Sequence, residues 1–245
     1  MVEGWLARAA EHFWEAVGGP IAPPRDLSPV ISRPFPLSMI TLPALDIAKV
    51  ERWFAERSVP YRFLCQNRAL CGCIIAARGY GMLFIDANDA AAEQRFTVAH
   101  EVAHFLLDYL DPRQEAIELL GNLILPVLDG ERAPTAEERI HAVLGRVKLG
   151  FYQDMMPRTA QGSIDQGAIL RAEDRADRLA LELLAPAADV LAAATTVTST
   201  PFERARELTE LLEQHYGLPL VVARAYAASL AKQISRPAVA EWFGR

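Results

Sequence analysis

Apolar positions along the chain follow several distinct rhythms. At the amino end Trp5, Leu6, Ala9, Phe13 and Val17 recur at three- and four-residue spacing, which predicts an amphipathic helix. The stretch GGPIAPPRDLSPVISRPFP that follows holds too many prolines for any regular element and predicts an extended connector, so residues 1–35 read as a helical arm on a linker. Asp46 then precedes a short helix whose Ile47, Val50, Trp53 and Phe54 form one apolar face. In LCGCIIAARGYGMLFIDAND the rhythm changes. Two β-rich runs, Leu70 to Ala77 and Met82 to Asp86, are joined by a glycine-containing turn and predict a hairpin. Directly after it comes QRFTVAHEVAHFLLD, with Phe96, Ala99, Ala103 and Leu107 on one side of a helix and Val98, Val102 and Leu106 on another. A helix apolar nearly all round is a buried one.

The remainder reads as mostly helical. Thr135 with Glu138, and Thr200 with Glu203, have the spacing of capping boxes, in which each member satisfies a backbone N–H of the other. Between them AEDRADRLALELLAP carries Ala176, Leu179, Ala180, Leu183 and Leu184 at helical spacing and stops at Pro186. The pattern predicts an α+β fold with a small antiparallel sheet, one buried helix and a mostly helical C-terminal part. Its divisions are the arm at 1–35, a central domain at 36–198 with a helical insertion at 111–165, and a C-terminal helical subdomain at 199–245.

Composition narrows the partners. The chain has 245 residues, 51% hydrophobic and 23% charged, enough for a sizeable core in one elaborated domain. Its net charge is −6 and it has no block of Lys and Arg, which disfavours direct nucleic-acid or anionic-membrane binding and favours a protein or peptide partner. The terminal pair of helices has the outline of a helix-turn-helix, but ELTELLEQ offers no basic face, so packing or partner contact is its expected role. No run is long and apolar enough for a membrane span, and the first residues carry acids where a secretion signal would be basic and then apolar, so a cytoplasmic protein is expected. Cys65, Cys71 and Cys73 are odd in number and crowded together, which fits reduced thiols better than a disulfide framework.

Chemistry concentrates in the buried helix. His100 and His104 lie four residues apart and project from one face, close enough for both imidazoles to hold one cation. Glu101 is rotated by about 100° from His100, so its carboxylate points beside the cation, where it can take a proton from a coordinated water. Burying two imidazoles and a carboxylate in an apolar helix costs several kcal/mol unless something pairs them, and a metal does so. This is the arrangement of a zinc hydrolase, in which Zn²⁺ lowers the pKa of its water to roughly 7. A third histidine six residues after His104 is excluded, because Leu110 stands there and Leu107 replaces the glycine such a motif needs. A distant carboxylate must serve. Glu173 and Asp177 share one face of their helix, so Glu173 can reach the metal while Asp177 accepts the outer N–H of a liganding histidine; Glu115 and Glu118 are competing ligand candidates.

The stretch RFTVAHEVAHFLL, followed by Glu173, Ala176, Ala180, Leu183, Leu184 and Pro186, resembles the ImmA/IrrE family of bacterial zinc metallopeptidases. Both halves agree with the family pattern in order and internal spacing, and a looser similarity covers residues 45–230. The chain departs from the pattern at Ala103, where glycine is usual, at Leu179, where phenylalanine is usual, and in the long segment 105–172 between the two halves. The resemblance implies a zincin-like fold with a gluzincin-like Zn²⁺ site, His100, His104 and Glu173 as ligands and Glu101 as catalytic base. It also implies cleavage of a helix-turn-helix repressor, which releases stress-response or mobile-element genes.

Of the other histidines, His141 is a candidate for oxyanion stabilisation, while His12 and His215 read as surface residues. The alternative function is a protease-derived zinc-binding sensor or toxin-antitoxin partner that acts by protein binding alone; an intact Glu101 favours the enzyme. The hairpin Leu70 to Asp86 is expected to offer the free sheet edge along which an extended substrate would lie.

Overall fold

The computed structural model describes residues 4–136, 138–139, 147, 149–158, 175–194 and 200–235. Four strands form one sheet: Leu37–Leu42 (β1), Leu70–Ala77 (β2), Tyr80–Asp86 (β3) and Tyr152–Pro157 (β4), side by side in the order β1-β3-β2-β4. β2 and β3 make the hairpin, turning at Arg78 and Gly79, whose φ angles of 53° and 84° are those of a tight two-residue turn.

The sheet corrects the sequence expectation in three ways. It is mixed and not antiparallel, because β1 runs parallel to β3. Residues 152–157, assigned to a helical insertion, form β4, antiparallel to β2. Both hairpin strands are therefore interior, and among the described residues the edges of the sheet are β1 and β4. The physical reason lies in short, weakly patterned segments. LSMITL follows directly on a proline-rich stretch, and YQDMMP ends in a proline that only an edge strand tolerates.

The unbroken apolar run of β2 follows from burial on both faces. On one face Ile74 and Ala76, with Leu83 and Ile85 of β3, pack against the helix Ala91–His104 (α3). On the other, Cys73, Ile75 and Phe84 pack on Ile47, Val50 and Phe54 of the helix Ile47–Ala55 (α2). Each Ile, Leu, Val or Phe among them contributes about 1.5–3 kcal/mol by leaving water.

Around α3 the core is helical. Leu6, Ala10, Phe13 and Trp14 of the helix Gly4–Val17 (α1) share one apolar cluster with α3 and with Ala176, Leu179, Ala180 and Leu183 of the helix Arg175–Leu184 (α5). Arg25 fastens the linker: its guanidinium donates to the carbonyls of Ile21 (3.0 Å) and Leu183 (2.7 Å) and lies over the Trp14 ring. The helices Pro201–Gln214 (α6) and Leu220–Ser235 (α7) pack on each other and add Leu208, Leu212, Val222 and Leu230 to the same cluster. At the start of α6 the Thr200 N–H donates to Glu203 (2.9 Å) and Thr200 Oγ1 accepts from the Glu203 N–H (3.3 Å). Among the described residues no helix is long and apolar enough to cross a membrane.

Asp86 joins the sheet to the segments at its ends. Its carboxylate accepts from the N–H groups of Ala44 (2.8 Å), Leu45 (3.0 Å) and Asn88 (2.9 Å) and pairs with Arg158 at the end of β4 (2.9 Å). Burial pushes its pKa up, but the three N–H groups and Arg158 outweigh it and hold the group below the usual carboxylate range. A depressed folded pKa means stability that is present above the unfolded value of about 4 and is lost as pH falls through the folded one. Asp86→Asn should therefore cost about 2–4 kcal/mol near neutrality, and that deficit should shrink in acid. Urea melts of both proteins at neutral pH and near pH 3 check this; a deficit independent of pH would contradict it. Asp89 shares Arg158 but is shifted the other way by burial, so the comparison has to be made with the Asp86 variant.

Candidate metal centre

From Phe96 to His104 every residue of α3 is buried, including Thr97, His100, Glu101 and His104. The helix continues as a π-helical turn, Phe105–Leu110, and then as the helix Asp111–Leu120 (α4). Such turns are frequent at functional sites. The imidazoles of His100 and His104 meet edge to face, with centroids 4.6 Å apart.

Each imidazole is held from behind by a carboxylate. His100 Nδ1 lies 2.7 Å from Asp177 Oδ1, brought up by the packing of α5 on α3. His104 Nδ1 lies 2.8 Å from Asp108 Oδ2, to which the Tyr152 hydroxyl donates at 3.3 Å. With each Nδ1–H donated to a carboxylate, it is the Nε2 atom of each ring that carries the lone pair a cation would take. Burial opposes charge on both rings, but Asp177 outweighs it at His100 and Asp108 outweighs it at His104, whose pKa rises to about 9.

Asp154 of β4 faces the same space. Tyr152, Asp154 and Met156 alternate along the strand on the side of α3, and Asp154 Oδ2 comes within 3.6 Å of His104 Nε2. One donor atom from each of His100, His104 and Asp154 can be chosen so that all lie within 4.8 Å of one another.

Glu101 is fully buried, and neither of its oxygens has a hydrogen-bond partner of good geometry. Burial, and after it the Asp154 carboxylate, pushes its pKa up to about 7; the two imidazoles and the nearby Met156 N–H only partly offset this. One oxygen of Asp177 is likewise buried and unpaired. Unsatisfied buried carboxylate oxygens are costly, and a cation with its water would satisfy them. The donor set and the orphaned oxygens thus fit a divalent metal ion.

Space for Glu101 comes from Gly72 of β2, at a register shift in its pairing with β4. A Cβ there would overlap the Thr97 methyl and come within 3.2 Å of Glu101 Oε1.

Residues 61–124 match the family model described as the IrrE N-terminal-like domain. Over this stretch the chain is similar to the ImmA/IrrE family of peptidases. The match covers the hairpin, α3 with His100, Glu101 and His104, and α4; Asp154, Glu173 and Asp177 lie beyond it. No curated protein and no solved structure matches the chain.

Of the other residues singled out in the sequence, Glu173 and His141 lie outside the described residues. Glu115 and Glu118 are exposed on α4 and take no part in the cluster. His12 and His215 are exposed, as is Cys65, while Cys71 and Cys73 are buried and reduced. Asp108, Tyr152, Asp154 and Gly72 were missed. Asp108 had a signal, being four residues after His104 as His104 is after His100. Asp154 had a weaker one in the alternation of Tyr152, Asp154 and Met156.

Proposed function

We propose that the protein is a zinc-dependent endopeptidase of zincin-like fold that cleaves a regulatory protein, a helix-turn-helix transcriptional repressor, and so switches on stress-response or mobile-element genes. The observation that carries the enzymatic part is the buried, unpaired Glu101 carboxylate beside two imidazoles whose Nδ1 atoms are both tied to carboxylates. The family match supports peptidase chemistry at this helix.

In this reading His100 and His104 hold the metal through Nε2, and Glu173 is the distant carboxylate that joins them. A zinc ion supplies a Lewis acid and an acidified water in such a site. Asp177 and Asp108 keep the proton on Nδ1 of each histidine and fix the ring orientations. Glu101 would take the proton from the attacking water and return it to the leaving amine. The free edge of β4 runs beside these groups and replaces the hairpin as the place for an extended substrate.

The test is to incubate the zinc-loaded protein with the helix-turn-helix protein encoded beside it. Discrete cleavage by wild type, abolished by a chelator, is the expected result. Metal binding with no cleavage would move the reading to a zinc-binding sensor or toxin-antitoxin partner.

Gly72→Ala probes the base independently of its chemistry. Overpacking should cost about 1–3 kcal/mol. Displacing the carboxylate should lower turnover about tenfold or more with metal content unchanged. Wild-type turnover in this variant would mean that β2 does not set the position of Glu101.

A further inference from the structure

We propose that Asp154, on the edge strand β4, is itself a ligand of the ion held by His100 and His104. The inference rests on the metal reading above and adds to it a ligand from outside the helices, so that the ion would become five-coordinate to keep its water.

Three observations carry it. Alternation along β4 puts Asp154 on the face toward α3, between the buried Tyr152 and Met156. Its Oδ2 stands 3.6 Å from His104 Nε2, too far for a hydrogen bond. Two ligand atoms bound to one tetrahedral zinc at about 2.0–2.1 Å sit about 3.3 Å apart, so the gap is close to the span of a shared ion. Finally, no other cationic group among the described residues pairs with this carboxylate, whose side chain is one-third exposed at 33%. A carboxylate oxygen beside two imidazoles is an ordinary donor set for zinc.

Asp154 then ties the strand that would receive substrate to the metal. Binding along β4 and access to the metal become one event, since a peptide that shifts this strand shifts a ligand.

The test uses the full chain loaded with Co²⁺, a spectroscopic substitute for zinc. Asp154→Cys should give a thiolate-to-cobalt charge-transfer absorption that the wild type lacks, its own three cysteines serving as the control. Asp154→Asn should weaken zinc binding at least about 10–100-fold in competition with a chelator. A cobalt-loaded Asp154→Cys protein without the band overturns the proposal, as does zinc affinity of Asp154→Asn within about twofold of wild type. If wild type binds no Co²⁺ or Zn²⁺, the metal reading falls with it. If wild type binds and His104→Ala does not, while both Asp154 variants behave as wild type, only the present inference fails.

Discussion

Glu101→Gln is expected to keep its metal and lose its activity. The glutamine is nearly the same size, so the packing against Gly72 and Thr97 is preserved. It cannot take a proton, and loss of a positioned general base costs about 10²–10⁴-fold in turnover. Metal content should not fall, because the donor atoms that could hold a cation are those of His100, His104 and Asp154, with Glu101 beside them. Elemental analysis and cleavage of the proposed helix-turn-helix substrate on the same sample check both halves. Metal loss would contradict the assigned geometry, and surviving turnover would remove Glu101 from the chemistry.

His104→Ala should do the reverse and strip the metal, from about one ion per chain to essentially none. Its imidazole presents Nε2 toward Asp154 while Nδ1 is held by Asp108. Alanine would leave both carboxylates facing an empty space with no cation between them. Metal content equal to wild type after dialysis would show that the ion sits elsewhere.

The helix-borne part of the site was legible in the sequence because the information is local. Four-residue spacing puts His100 and His104 on one face whatever surrounds them, and the all-round apolar pattern announces a buried helix. The same rule would have found Asp108. What could not be read is what other elements bring. Asp154 sits fifty residues beyond His104 on a strand of six residues ending in proline, too short for its alternation to outweigh the helical look of its surroundings. Gly72 resembles any strand glycine until α3 is laid across it. β1 went unseen because its six residues follow a proline-rich linker and show only weak alternation. It is this strand that makes the sheet mixed and puts the hairpin in the interior.

The central claim is that one metal ion sits between the two histidines of α3, and diffraction from zinc-soaked crystals, recorded across the zinc absorption edge, tests it most directly. The account predicts a single strong anomalous peak about 2.0–2.1 Å from Nε2 of both His100 and His104, with a carboxylate oxygen in the same shell. No peak there, or a peak at Cys65, Cys71 and Cys73 instead, would contradict it.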